Sequence, residues 1–405
     1  MNNKLKLAVA GAILASASVA SAGIIIPAGD WTVDINGNVN AFAIMADNKD
    51  TVTTAGAMTN SRGNGDAVSI NTGLLPSWFG VTASTRTNDL DVSWTISTQP
   101  GSSSGSALGG GGGEEARQAS LTFGDKSWGS VLVGKNLGIF GSDAILSDMT
   151  LLGVGSQGVV GSAGGTTTTL GRIGTGYLYA DWMGQIAYTT PNMNGFQVTA
   201  GIFQPWNTNN AGASTISGVS SGVQDEFGYQ GKAVYSWGGD MAGKVWAGFF
   251  HQKVTNIDGS TTSDVENDAD ALEFGFSISS GNTSLVGYIY DGEGVGTTAF
   301  LRDGFDAAGA QRDSDGGYVQ ATYVIPSGTK IGVSYGESNM DATTDDSTNT
   351  DVVKSNEMWT VGAYHPLTKH LNLVAEYSSV DTSSLSTTIA DTESEIVSVG
   401  AILFF

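Results

Sequence analysis

The sequence predicts an all-β protein, a transmembrane antiparallel β-barrel of sixteen strands. Three observations predict it. Apolar and polar residues alternate with a period of two from Trp31 to the final Phe405. The connections between alternating segments are short and long by turns. Beyond residue 22 no apolar run approaches the roughly 20 residues that a membrane helix needs.

Residues 1–22 read as a secretory signal peptide that is removed from the fold. Lys4 and Lys6 form its charged front, an apolar run spans Leu7 to Val19, and Ala20-Ser21-Ala22 is a small-residue cleavage site. The apolar run is too short for a transmembrane helix and ends in small residues. The mature chain then runs from residue 23 to 405 as one domain. Losing Lys4 and Lys6 takes its formal charge from −22 to −24. That balance argues against nucleic acid, whose phosphates need basic partners, and suits a cation-attracting pore. The sequence contains no cysteine. An exported chain without disulfides is coherent if a closed ladder of backbone hydrogen bonds holds it.

The first strand sets the pattern. Trp31, Val33, Ile35, Val39, Ala41, Ala43 and Met45 share one face, and Thr32, Asp34, Asn36, Asn38 and Asn40 share the other. Leu90, Val92, Trp94 and Ile96 oppose Asp91, Ser93, Thr95 and Ser97 in the same way. Leu272, Phe274, Phe276 and Ile278 oppose Glu273, Ser277 and Ser279, and Leu371, Leu373, Ala375 and Tyr377 oppose Asn372, Glu376 and Ser378. Repeated along the chain, this gives sixteen strands: 31–46, 77–86, 89–98, 117–124, 128–135, 180–189, 195–203, 226–237, 242–253, 270–279, 282–290, 316–325, 329–338, 356–365, 370–380 and 394–405. An even number returns both ends of the chain to one side of the membrane.

Short Gly, Asn, Asp and Pro turns fall at Thr87-Asn88, 124–126, 191–194, 238–240, Gly281, 326–328 and 366–368. Long polar connections cover 47–76, 99–116, 136–179, 204–225, 254–269, 291–315, 339–355 and 381–393. Turns on one side and loops on the other are the outer-membrane barrel pattern. Trp31, Phe123, Trp128, Tyr188, Phe196, Trp237 and Phe405 all fall at the short-turn ends, where amphipathic rings mark one membrane interface; Phe79, Trp182, Tyr335, Trp359 and Tyr377 suit the other.

At this point the residues resemble a known family. RQASLTFGDKSWGSVLVGKN, from Arg117 to Asn136, resembles the paired strands that precede the constriction loop of Gram-negative general porins. QIAYTTPNMNGFQV, from Gln185 to Val198, resembles the hairpin that follows it. The last strand, with Val397, Val399, Ala401, Leu403 and Phe405 in one phase, is similar to the terminal strand by which the outer-membrane insertion machinery recognises barrels. The resemblance implies an outer-membrane homotrimer embedded in lipid, whose long third loop, here 136–179, folds into each pore. It implies passive diffusion of small hydrophilic solutes and ions. Where the family carries arginine, this chain has Lys135, which keeps charge and loses the planar fork. The loop also carries an unusual Gly/Thr tract from Gly161 to Gly171.

A porin makes no bonds; a size limit and pore-lining charges do its work. The constriction candidates are Asp143 and Asp148 on the loop, Lys135 by family position and Lys232 by its inward phase. Arg117 shares the phase of Ala119 and Leu121, which predicts the outer rim. The acidic clusters Asp258, Asp264, Glu266, Asp268 and Asp270, and Asp341, Asp345, Asp346 and Asp351, have no calcium-loop spacing and read as solvated surface. The run Gly109 to Gly113 lacks the Lys-Ser/Thr of a phosphate loop. Of the histidines His251, His365 and His370, the last two flank a short periplasmic turn, away from the loops where a barrel hydrolase would work, and no Gly-x-Ser-x-Gly elbow stands in a strand–helix setting, so an enzyme is not expected, nor a cofactor or metal. The competing reading is a surface receptor or adhesin whose acidic loops bind a partner.

Overall fold

The computed structural model describes residues 23–49, 54, 56–59, 65–101, 114–157, 168–207, 224–255, 257, 265–346 and 350–405. The leader 1–22, most of the Gly/Thr tract, Gly109–Gly113, Asp258 and Asp264 lie outside the described residues.

Among the described residues eighteen strands form one sheet: β1 (Ile24–Ala28), β2 (Trp31–Asn48), β3 (Gly65–Asn71), β4 (Trp78–Thr87), β5 (Leu90–Pro100), β6 (Glu114–Asp125), β7 (Gly129–Leu137), β8 (Trp182–Thr189), β9 (Phe196–Phe203), β10 (Gly228–Trp237), β11 (Met241–Thr255), β12 (Glu266–Ser280), β13 (Thr283–Glu293), β14 (Asp313–Val324), β15 (Lys330–Met340), β16 (Val353–Pro366), β17 (Leu371–Ser384) and β18 (Thr392–Phe404). Each pairs antiparallel with its neighbour, and the register Ser394↔Asn48 to Phe404↔Asn38 joins β18 to β2, closing the ring. Two short strands share ring positions with longer ones. The upper part of β2 pairs with β3 and its lower part with β4, so these two make one interrupted strand. On its other edge β2 pairs with β18 above and with β1 below. The closed ring therefore holds sixteen strand positions, as the alternation predicts.

The turns show why the hairpins close where they do. Between β4 and β5, Asn88 and Asp89 both take positive φ, 50° and 60°, the two-residue geometry whose twist matches flanking strands. Gly281 does the same at φ 57°. The outward faces carry the aliphatic residues, with Leu272 66% and Val39 62% exposed. In a soluble protein such a band would be an aggregation surface; around a closed barrel it is the face that meets lipid. Phe123 and Trp128 hold their rings 6.5 Å apart at the turn end, Tyr235 stacks on Trp237, and the Phe405 ring lies against Gly37. Trp31, Trp128 and Tyr188 are exposed at the same rim.

Among the described residues a packed core lies inside the ring around the third loop. Phe140 from the third loop meets Phe250 and Phe300 edge-on; Phe300, from the connection after β13, stacks with Trp206 and with Phe250, the Phe250–Phe300 centroids being 4.2 Å apart, and Phe203 stacks on Phe250 in turn. Among the described residues the side of β4–β7 stays open.

Candidate functional site: the third loop and the channel it borders

The connection from β7 to β8 leaves the wall and lies inside the barrel along β10 to β17. It contains a short helix α1 (Ser142–Ser147) and a 3-10 turn (Met149–Leu152). Inward-facing side chains of the wall hold its backbone. Gln230 Oε1 on β10 accepts from the N–H groups of Ile139 and Phe140 at 2.8 and 3.2 Å. Glu273 on β12 accepts from Gly141 N–H at 2.9 Å and from the Tyr288 hydroxyl at 3.0 Å. Gln320 on β14 accepts from Met149 N–H at 2.6 Å and donates to Ser147 O. Glu376 on β17 accepts from Val154 N–H, Gly155 N–H and the Tyr364 hydroxyl at 2.7, 2.9 and 2.6 Å. Each carboxylate meets donors that would otherwise be orphaned away from water.

The sequence candidates are distributed unevenly over this site. Asp143 on α1 sits between two amines, Lys232 Nζ on β10 and Lys244 Nζ on β11, each at 2.6 Å. Burial pushes the Asp143 carboxyl up, but the two lysines outweigh it and hold it well below the usual carboxylate range. Asp148 caps the 3-10 turn through Thr150 N–H and Thr150 Oγ1, and accepts from the Tyr177 hydroxyl at 2.9 Å. The structure thus brings Asp143 to Lys232 and leaves Asp148 in a separate buried network. Lys135 is exposed, borders the channel, and donates to Ala116 O at 2.7 Å.

Arg117 departs from its expected phase. Between Ser97↔Gln118 and Gln99↔Glu115 the β5–β6 register shifts, so that Ala116 and Arg117 oppose Thr98 alone. Such a bulge re-aims a side chain. The Arg117 side chain is only 12% exposed; it pairs with Glu115 at 2.8 Å and reaches the Tyr179 hydroxyl of the third loop. Lys244, Gln230, Glu273, Gln320, Glu376 and the fully buried Arg172, which donates to Met358 O and Ser334 Oγ, were not singled out in the sequence. The inward phase of the strand residues was visible and that of Arg172, in the loop, was not; the partner that each meets was legible for none of them.

Opposite the loop lies a cavity of about 1830 Å³. Its wall is the inner face of β2 and β4–β7, with Asp34, Asn36, Thr82, Ser84, Arg86, Asp91, Ser93, Thr95, Gln118, Ser120 and Thr122. Arg86 bridges Asp91 and Asp125 at 2.7 and 2.9 Å.

A closed barrel with oily outer faces, a polar inner wall and an inward-folded loop defines a membrane-spanning channel protein. The chain belongs to the Gram-negative porin family, whose model matches residues 8–385. No curated protein matches the sequence. Among solved structures it is similar to the outer membrane channel DcaP of Acinetobacter baumannii, at TM-score 0.67 and 14% identity, over 94% of this chain and 99% of that one. It is also similar to the anion-selective porin from Comamonas acidovorans, at TM-score 0.63 and 16% identity over 93% and 100%. A third is the trimer form of OmpT from Vibrio cholerae, at TM-score 0.53 and 15% identity over 93% and 99%. These identities establish the shared fold. The protein is an outer-membrane porin.

Proposed function

We propose that this porin passes small hydrophilic solutes and ions by passive diffusion through the space between its third loop and the β2–β7 wall, with a weak preference for cations and no bond-making chemistry. The supporting observation is the lining of that space. Among the described lining residues are Asp30, Asp34, Asp91, Glu115, Asp125 and Asp181 against Arg86, Arg117, Lys126 and Lys135. Six carboxylates against four cations leave a negative lumen, and like-signed lining charge favours the opposite counter-ion. The Comamonas relative is anion-selective by its description, so the fold does not fix the sign, and the charge of the lining is what supports the cation reading. In this arrangement Asp143 with Lys232 and Lys244 is the clamp that sets the loop's position, and Asp148 its internal brace. In planar bilayers the protein is expected to give steady current steps, with a reversal potential in a salt gradient of the sign for cations. Absence of steps would remove the channel reading, and an anion-signed potential would remove the cation preference.

We further propose a trimer inserted through the strand that ends in Phe405, with Trp31, Phe123, Trp128, Tyr188 and Trp237 at the periplasmic lipid interface. The trimer form of the Vibrio relative supports the first part. Unheated protein is expected to run on a gel at about three times the mass of heated protein; a single band at the monomer position in both lanes would refute it.

A further inference from the structure

The channel has two chemically different sides. The wall from β2 and β4–β7 is polar, as described. The loop side is not. Leu146 and Leu151 of the third loop and Leu75 of the connection before β4 border the same cavity, and all three are only partly buried. The carboxylates of its helix and 3-10 turn point the other way. Asp143 turns to the lysines of β10 and β11, and Asp148 to Tyr177 and Thr150. This stretch of the loop therefore hides its carboxylates against the barrel and shows leucine to the lumen, while Asp181, at the loop's end beside β8, borders the cavity.

A solute held between these faces meets water-like partners on one edge and hydrocarbon on the other. A uniformly hydrated solute strips water from one edge against leucine and gains nothing there. A solute with one apolar edge leaves its poorly hydrated surface against the leucines and keeps its polar groups on the Asn, Ser, Thr and charged wall. We infer that Leu75, Leu146 and Leu151 form a specificity strip, and that this porin favours small amphipathic solutes, zwitterions with an aliphatic or aromatic side chain above all, over fully hydrophilic ones of equal size. The inference rests on the channel reading above and deepens it by naming the solute class.

The test is swelling of proteoliposomes in two zwitterions of similar size, L-leucine and L-glutamine. Wild type is expected to admit leucine about fourfold faster, the factor for roughly one methylene group leaving water. Leu146→Asn with Leu151→Asn is expected to bring the ratio to about one, while glutamine entry and salt conductance stay near wild type. Conservative Leu146→Met with Leu151→Met should keep the preference. Equal rates for the two solutes in wild type, or a preference untouched by the asparagine pair, would overturn the strip. A protein that admits neither solute and carries no current would instead overturn the channel reading, so the two failures are distinguishable.

Discussion

Replacing Asp143 by Asn is expected to turn a steady channel into a flickering one. In the native protein the carboxylate lies between Lys232 and Lys244 at 2.6 Å each, with side-chain exposures of 10%, 19% and 23%. Removing one partner of a buried ion pair leaves charge uncompensated, at a cost of order 3 kcal/mol. Here two cations lose their anion together. The first turn of the loop retains Gln230 and Glu273 as backbone partners, so local release is expected and unfolding of the barrel is not. In single-channel recordings at neutral pH the variant should show repeated brief closures that wild type lacks. Replacing the whole cluster by apolar residues, Asp143→Leu with Lys232→Met and Lys244→Met, should restore steadiness, because a packed hydrophobic cluster replaces a buried ion cluster at little cost. Equally steady traces for Asp143→Asn and wild type would show that the clamp carries nothing.

The same geometry sets a pH dependence. The two lysines depress the folded-state pKa of Asp143 below its ordinary value. The stabilisation is therefore present above the unfolded carboxylate value, about 3.9, and is lost only as pH falls through the lower folded value. As far as Asp143 alone sets it, wild-type steadiness should persist from neutral pH to about pH 4 and fail only in stronger acid. Flicker that rises smoothly between pH 7 and 5 would mean that a second anchor, such as Glu273 at Gly141 N–H, releases the loop before Asp143 does.

How far the sequence carries a reader depends on the range over which each feature is encoded. Strand existence is local: Leu272, Phe274 and Phe276 against Glu273, Gly275 and Ser277 declare both strand and facing, and β12 shows that phase. Two strands escaped that reading. In β1, Ile24, Ile25, Ile26 and Pro27 are apolar without alternation. In β3, Val68 and Ile70 do alternate with Ser69 and Asn71, but only over seven residues and apart from β4. Arg117 escaped because its direction is set by a register shift against β5, and a one-residue slip reverses facing without changing composition. The loop anchors were half legible. Glu273 and Glu376 stand in the inward phase of their strands, yet they meet Gly141 and Gly155, 132 and 221 residues away, and no local pattern encodes that meeting. Asp143 and Lys232 were both named as candidates, whereas Lys244, which completes the cluster, was not. The leucines at 146 and 151 were invisible as lumen residues because a loop has no alternation to assign a side.

Adjacent residues on β5 offer the strongest discrimination between a hollow membrane barrel and any packed β-protein. Ile96 faces outward, 59% exposed, and its neighbour Thr95 borders the channel. Val92 pairs with the rim aromatic Phe123, and Ile96 lies four residues further along the strand. At about 3.3 Å per residue and a tilt near 40°, that places Ile96 roughly 10 Å into an apolar band about 25 Å tall. Ile96→Arg is expected to destabilise the barrel by about 2–4 kcal/mol in urea unfolding from lipid vesicles, the cost of an arginine near mid-bilayer. Thr95→Lys, one residue away, loses only a hydroxyl contact with Thr82 in a wet lumen and should cost less than about 1 kcal/mol. It should instead weaken the cation preference by adding positive charge to the lining. The order of the two effects carries the inference. A packed interior would penalise the buried lysine more than the surface arginine, so a reversed order would exclude a hollow barrel in lipid. Two substitutions that differ by one position thus read out which side of the sheet meets hydrocarbon.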